Sequence, residues 1–446
     1  MSDVTSPVGW GRDVNGLERA LAGALGAEAV SVDMSDRRVA STDWAHMSPI
    51  LAVRLPAGTA EIVAYPADAA GIATAVALAY EYRVPVTARG KGTGNYGQGI
   101  PLCDGLVIDT SRADRVLAVG DGWIHAEAGA TFVALESAAR RSGQEMALIP
   151  STVGSALGGF VAGGAGGTGS VENGATWDGF VHALDVVPCT DEALALPVTG
   201  AATRPMIHAY GTTGVLATAT VALRPHRDWT ALLASFPRSA ESEAVAAARE
   251  LTGLDPVPRL VSVDEPGIVA TYPIDEAMPA GRHSLRAVLD VSTVSSATAL
   301  IEAAGGVVAA LRPKGPALLT SLSFNHTTYR IRKARPELCH LQVGGDVLTA
   351  DPDAVRAAMP DSLLHLDAFG TPSGVTFGGM LMCRFTTEQA LLEGIDRLRA
   401  MGVAVDSPHT WELTRELDLI RAAAARFDPE GLLNPGKLPP LAGHCP

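Results

Sequence analysis

The sequence predicts an α+β protein built in more than one part. Three observations point there. A β-α-β pattern opens the first half and delivers a glycine-dense loop; short β-branched runs separated by turns follow; near residues 225–229 the character shifts to alanine-rich helical stretches alternating with strand-like pieces. With 446 residues and 47% hydrophobic composition, the chain can bury two or three cores.

After a polar N-terminal segment, "EIVAYP" (61–66) reads as a strand, "ADAAGIATAVALAYEYR" (67–83) as a helix and "VPVTARG" (84–90) as a second strand. In the helix Ile72, Val76 and Ala79/Tyr80 recur at helical spacing, with Pro66 just before it and Pro85 just beyond. The loop that follows, "RGKGTGNYGQG" (89–99), contains G-x-G-x-x-G at Gly92, Gly94 and Gly97. A Rossmann loop must run straight into a helix and then reach a strand ending in an acid. Asp109 does end the strand-like "GLVID", but Gly99, Pro101 and Gly105 in between leave no room for a helix, so the match is not a Rossmann fingerprint.

Further on, "RVLAV" (115–119) and "WIHAEAG" (123–129) read as strands, and "TFVALESAARRSG" (131–143) as a helix capped by Thr131 and stopped by Gly143. The most glycine-dense stretch, 150–174, precedes the strand "HALDVVP" (182–188) and the glycine turn and β-branched run of "HAYGTTGVLATATVALRP" (208–225). In 230–400, "ESEAVAAARELTG" and "EQALLEGIDRLRAMG" read as helices, "HSLRAVLDVST" and "ALLTSLSF" as strands. The tail 416–440 reads as a helix followed by a turn bounded by proline and glycine.

A formal net charge of −14 gives no basis for binding nucleic acid or an anionic membrane, and favours a small neutral or polar partner. The five cysteines, Cys103, Cys189, Cys339, Cys383 and Cys445, are far apart and form no C-x-x-C, so they read as reduced structural thiols. With no secretory pattern at the start and no run near about 18 apolar residues, the expectation is a soluble cytoplasmic protein.

Glycine permits positive φ and close backbone approach, so converging N–H groups in 89–99 and 151–159 could cradle a phosphate, with Ser151 and Thr152 capping a short helix. Tight turns use glycine for the same reason, and composition alone leaves both readings open.

In "VPVTARGKGTGNYGQGIPL", "IPSTVGSALGGFVAGGAGGTGSVENGATWDGFVHALDVV", "YGTTGVLATATVAL" and "FDPEGLLNPGK", taken in this order, the chain resembles the FAD-linked oxidases of the vanillyl-alcohol oxidase or p-cresol methylhydroxylase (PCMH) type. The resemblance runs from about Val53 to Pro225 and returns in the tail. It implies an extension (1–45), a PCMH-type FAD-binding domain of two α+β subdomains (46–228), an α+β substrate cap (229–405) and a segment returning to the FAD domain (406–446). It further implies that Arg89, Gly90, Lys91, Gly92, Thr93 and Gly94, with Asn95, Tyr96, Gly97 and Gln98, hold the FAD pyrophosphate. Ser151, Thr152, Gly154, Ser155 and Gly158 would join them there. Gly211, Gly214, Val215 and Leu216 would lie by the nucleotide, and Asn434 and Lys437 nearer the flavin ring. Where relatives link FAD through histidine or cysteine this chain has Thr93 and Pro150, so non-covalent FAD is expected, linkage through a cap or tail histidine being left open.

The implied activity is transfer of hydride from a small alcohol, amine or related metabolite to flavin, with oxygen or another electron acceptor as second partner. The alternatives are a D-2-hydroxy-acid dehydrogenase of the lactate or glycolate type and a flavin protein with a non-redox role. A base is required, and histidine titrates in the right range. His326, in "SFNHTTYR" at the end of an apolar strand-like run, and His409, in "DSPHTWELT", are the candidates, each otherwise a hydrogen-bonded structural residue. Tyr329 and Trp411 are candidate pocket walls or plain core, and Arg384 is a candidate carboxylate partner or edge ion pair. His125 and His208 read as structural residues within strands. The metal motif H-x-G-D-G-N-x-H, which members that oxidise 2-hydroxy acids often carry, is absent and no other cluster has ligand spacing, so no metal is expected. The oligomeric state stays open, a homodimer included.

Overall fold

The computed structural model describes residues 11–56 and 58–440; Cys445 lies outside the described residues. Helix α1 (Val14–Leu25) packs on a four-stranded mixed sheet of β1 (Val30–Ser31), β2 (Ile62–Ala64), β3 (Val86–Arg89) and β4 (Leu106–Asp109), ordered β1-β2-β4-β3. Strands β2 and β3 both run parallel to β4, as the crossover through helix α2 (Ala69–Glu81) requires. Asp68 caps α2 by accepting from Gly71 N at 2.9 Å, and Ile72, Val76 and Ala79 bury the face that the spacing marks. No helix forms between β3 and β4. The apparent fingerprint therefore sits in an irregular loop at the end of a parallel strand.

The second sheet holds β5 (Val116–Gly120), β6 (Trp123–Glu127), β7 (Gln144–Met146), β8 (Val181–Val187), β9 (Leu196–Thr199) and β10 (Val215–Pro225), antiparallel in the order β5-β6-β10-β8-β9 with β7 also on β10. Helix α3 (Phe132–Arg141) is capped by Thr131, which accepts from Ala134 N. Helix α4 (Leu157–Gly163) starts with Ala156 as its N-cap, so Ser151 and Thr152 sit in turns ahead of it and do not cap it.

The third sheet has eight strands: β11 (Trp229–Phe236), β12 (Leu260–Asp264), β13 (His283–Asp290), β14 (Val307–Arg312), β15 (Leu338–Gly344), β16 (Leu363–Thr371), β17 (Gly374–Arg384) and β18 (Ala404–Asp406). Their order is β14-β11-β13-β12-β16-β17-β15-β18, every pair antiparallel. The two-residue period sorts their side chains. Val261, Val263, Leu285, Ala287, Leu364 and Leu366 share one core with helices α5 (Glu241–Leu251), α6 (Val294–Ala303) and, on the far side, the helix at Glu388–Ala400. The alternate residues Ser262, Asp264, Arg286, Gln342, His365 and Asp367 fall on the other face, towards the first two sheets.

That face is closed by helix α7 (Phe324–Ala334), where the sequence reading expected the end of a strand; "ALLTSLSF" forms a short helix (Pro316–Thr320) and a turn instead. A short apolar run has no period that separates strand from helix, and Pro316 at a helix start decided it. The tail helix α8 (Leu417–Phe427) returns to the second sheet, where Phe427 joins its core, and Leu432 and Leu433 join the core of the first.

Candidate functional site

One cavity of about 780 Å³ runs between the three sheets. One wall is glycine: Gly90, Gly92 and Gly94 after β3, Gly158, Gly159, Gly163 and Gly164 in and after α4, and Gly211 and Gly214 before β10. Several of these approaches tolerate no side chain. A Cβ on Gly90 would stand 2.7 Å from Ala156 Cβ, and one on Gly158 would stand 2.8 Å from Ala128 Cβ. By contrast Gly159 faces open space.

Arg89 does not reach into this space with its fork. Nη1 donates to the carbonyls of Ala40 (3.1 Å) and Thr42 (2.7 Å), and the guanidinium packs over Gly92, whose φ is +63°. Lys91, Thr93, Asn95, Tyr96 and Gln98 line the cavity, as do Ser151, Thr152, Ser155 and Leu216. Ser155 Oγ is buried without a partner. A backbone-lined cradle with an unpartnered hydroxyl, room where a Cβ would protrude and cations at one edge fits a nucleotide's phosphates. An elongated dinucleotide such as FAD suits these walls.

Several expected contacts lie elsewhere. Val215 points into the core of the first sheet, because the residue after the glycine turn is already in β10 and alternation turns it inward. Gly97 packs on Leu55, and Gly154 does not line the cavity. Asn434 and Lys437 do not line it either: Asn434 Nδ2 donates to the carbonyls of Gln98 (2.8 Å) and Tyr210 (2.6 Å), and Lys437 Nζ donates to that of Gly97. They brace the loops from behind. Burial pulls the Lys437 ammonium down to about 7 and pushes the neighbouring Asp43 carboxyl up to about 6.

The opposite wall comes from α7 and the polar face of the eight-stranded sheet. Asn325, His326 and Tyr329 project from α7. Gln342 Nε2 donates to Asn325 Oδ1 (3.1 Å) and to the buried Tyr96 hydroxyl. His326 is half-buried with Nδ1 3.5 Å from Thr152 Oγ1; burial and then Arg330 lower its pKa, so the ring is neutral at pH 7. Tyr329 stands edge-on to Trp44 at 5.5 Å, both partly exposed, at the rim.

His409, Trp411 and Arg384 are not part of this wall. His409 is buried with Nδ1 2.7 Å from Ser48 Oγ, its ring 6.3 Å from His340 and beside Cys339, away from the cavity. Trp411 packs with Leu51, Leu55 and Ile100, and Arg384 ends β17 in solvent. The titration range of histidine and the size of tryptophan make them eligible for a site without placing them in one.

His208 was missed. It lies in a turn at φ +58°, not in a strand, its Nδ1 bonded to the Gly163 carbonyl, in edge contact with Tyr210 and Trp177 on the cavity wall. Its place just before the glycine turn at Gly211 was the available signal. Asp43 and Trp44, inside the stretch expected to be an extension, also line the cavity. Among the described residues, no group of three His, Cys, Asp or Glu is placed to hold a metal, and no helix is long and apolar enough to cross a membrane.

Residues 60–195 match the family model of an FAD binding domain. Over 185 residues the chain is 28% identical to a D-lactate dehydrogenase of Archaeoglobus fulgidus, spanning 40% of this chain and 42% of that protein. Over 192 residues it is 31% identical to a D-2-hydroxyglutarate dehydrogenase of Pseudomonas putida, spanning 42% of this chain and 18% of that one. The chain thus spans less than half the length of these relatives. In fold it matches an alkyldihydroxyacetonephosphate synthase with a TM-score of 0.73 at 15% identity, over 96% of this chain and 85% of that one. Residues 60–195 therefore form an FAD-binding domain of the PCMH type.

Proposed function

We propose that the protein is an FAD-dependent oxidoreductase acting on a small polar organic molecule held between the glycine loops and the face of the eight-stranded sheet. The observation that carries this reading is a single cavity joining the glycine cradle to a wall that presents the neutral imidazole of His326. Bound FAD supplies a two-electron acceptor for hydride. His326 would take the proton from a substrate hydroxyl or amine, with Thr152 steadying Nδ1. Asn325, Gln342 and Tyr96 form a hydrogen-bonded row that orients polar atoms, while Trp44 and Tyr329 shield the opening from water. Thr93 and Pro150 stand where relatives carry the linking histidine or cysteine, so FAD would be held without a covalent bond at either position.

A D-2-hydroxy acid as substrate is favoured by the names of the two relatives. Against it stands the state of the cavity's cations. Arg415 is paired with Asp406 at 3.0 Å, Arg89 holds two backbone carbonyls and Lys91 Nζ lies 3.4 Å from the Ser111 carbonyl. Each of these cations already has a protein partner, which favours an alcohol or amine over a substrate that brings its own carboxylate.

The test is anaerobic mixing of the FAD-loaded protein with D-lactate, D-2-hydroxyglutarate, primary alcohols and amines while flavin absorbance is followed. Bleaching by alcohols or amines supports the proposal, and bleaching by hydroxy acids alone supports the second reading. FAD binding with no bleaching by any compound points to a non-redox role. A protein that takes up no FAD overturns all three. Flavin should appear in the supernatant after acid precipitation.

A further inference from the structure

Beneath His326 lies a buried polar network that reaches the cavity through Asp367 and that the reaction above does not use. His365 is fully buried, with Nδ1 2.6 Å from Asp264 Oδ1 and Nε2 2.8 Å from Asp367 Oδ2. Both ring nitrogens meet carboxylates, and a neutral imidazole has only one N–H to give. These contacts are those of an imidazolium held between two carboxylates. Consistently, the two aspartates raise its pKa to about 9 against the opposing effect of burial. Asp264 also accepts from the Arg286 guanidinium and from the Tyr272 hydroxyl at 3.0 Å. Two cations and two anions make the group neutral, which is what lets it exist without solvent.

The network ends on one short stretch of chain. Arg286 Nη1 donates to the Leu322 carbonyl at 2.7 Å, and Asp367 Oδ2 accepts from Phe324 N at 2.8 Å. Phe324 is the first residue of α7 and has φ +49°, a left-handed conformation that a bulky side chain adopts only when its surroundings impose it. Ser323, the N-cap, gives no side-chain cap, so Asp367 takes that role from across the sheet at the positive end of the helix dipole. Asn325, His326 and Tyr329 follow within the next two turns.

We propose that Arg286, Asp264, His365 and Asp367 are positioning residues: they impose the strained start of α7 and thereby set where Asn325, His326 and Tyr329 stand in the cavity. The functional meaning rests on the role given to His326 above; the positioning itself does not. His365 donates to Asp367 and fixes where its carboxyl stands, and Asp264, itself bonded to Arg286, holds His365. The charged and titratable groups that face His365 are Asp264 from β12 and Asp367 from its own strand, with Arg286 and Tyr272 behind Asp264; β17 places Met380 opposite.

The test uses the full-length protein saturated with FAD, with ¹⁵N-labelled histidine for NMR and hydrogen exchange read by mass spectrometry. Wild-type His365 should stay doubly protonated up to about pH 9. Asp367→Asn keeps an acceptor for Phe324 N but removes one anion, so His365 should titrate lower by about one unit or more while exchange at 324–329 stays slow. Asp367→Ala should speed exchange at 324–329 by about tenfold, the effect of losing one charge-assisted hydrogen bond, and shift the His326 resonances. Exchange in α5 and α6, on the other face of the sheet, should not change. Wild-type exchange and wild-type His326 signals in Asp367→Ala would overturn the proposal, as would equal loosening of the whole cap. If that variant does not fold, Asp367→Asn alone decides: an unshifted His365 titration refutes. Neither readout needs turnover, so failure here is distinct from failure of the substrate assay.

Discussion

Helix α4 allows a sharp test of the cofactor wall, because one of its two adjacent glycines packs against protein and the other meets open space. Gly158 N donates to the Ala128 carbonyl at 2.8 Å, and an added Cβ would meet Ala128 Cβ at 2.8 Å, its oxygen at 3.2 Å and its Cα at 3.3 Å. Backbone at the end of β6 cannot swing away, so Gly158→Ala overpacks at a cost of about 1–3 kcal/mol. Better helix propensity returns about 1 kcal/mol, leaving a net loss of about 0–2 kcal/mol. Gly159→Ala meets nothing, keeps the propensity gain and should stabilise the FAD-free protein by about 0.5–1 kcal/mol. Its methyl, however, enters the cavity. A clash of about 1–3 kcal/mol there weakens FAD binding roughly 5- to 150-fold. Urea unfolding of the FAD-free variants and flavin-fluorescence titration measure the two quantities separately. Unchanged FAD affinity in Gly159→Ala would show that α4 does not face the cofactor, and equal stabilisation by both substitutions would refute the close approach at Gly158.

His326→Asn should retain FAD yet slow flavin reduction by about 10²–10⁴-fold; the wild-type rate should be full at pH 7 and fall only at acid pH, since the lowered pKa keeps the base form present. His409→Ala should leave flavin reduction unchanged but lower stability by about 1–3 kcal/mol in urea, because it breaks the buried bond to Ser48. Lys437 gives a pH signature: its folded pKa of about 7 lies below the ordinary 10.5, so between these values the unfolded chain binds more protons and stability rises with pH. Asp43, raised from 3.8 to about 6, has the opposite sign, and its contribution falls as pH rises through that window. Urea midpoints at pH 7 and 10 should differ clearly in the wild type and much less in Lys437→Met; an equal rise in both would refute the assignment to Lys437.

Local patterns carried the first half of the fold. The helix 67–83 and its flanking strands follow from spacing and proline placement, and Gly99, Pro101 and Gly105 correctly ruled out a helix after the glycine loop. Where the reading failed, the missing information was long-range. His409 meets Ser48, 361 positions away, and Asn434 meets Gln98 from 336 away; no local pattern encodes such contacts. His326 was picked for its chemistry yet placed on the wrong kind of element, because "ALLTSLSF" is apolar throughout and so lacks a period.

One signal was present and unused. In "LVSVD", "HSLRAVLD" and "LLHLDAF" the pairs Ser262/Asp264, Ser284/Arg286 and His365/Asp367 stand two positions apart in strands that turn out largely buried. Alternation in an antiparallel strand ordinarily marks a face turned to water, which removes the cost of the polar side chains. Here α7 and the first two sheets cover that face, so Asp264, Arg286, His365 and Asp367 must neutralise and hydrogen-bond one another instead. An apolar face of the same volume would cost the fold less, since buried ion pairs seldom improve on hydrophobic packing. What hydrophobic packing does not supply is a directional hold on the Phe324 N–H and the Leu322 carbonyl. The sheet thus divides its labour by face: the Leu/Val/Ala side fastens the helices, and the charged side fixes one turn of α7 against the cavity.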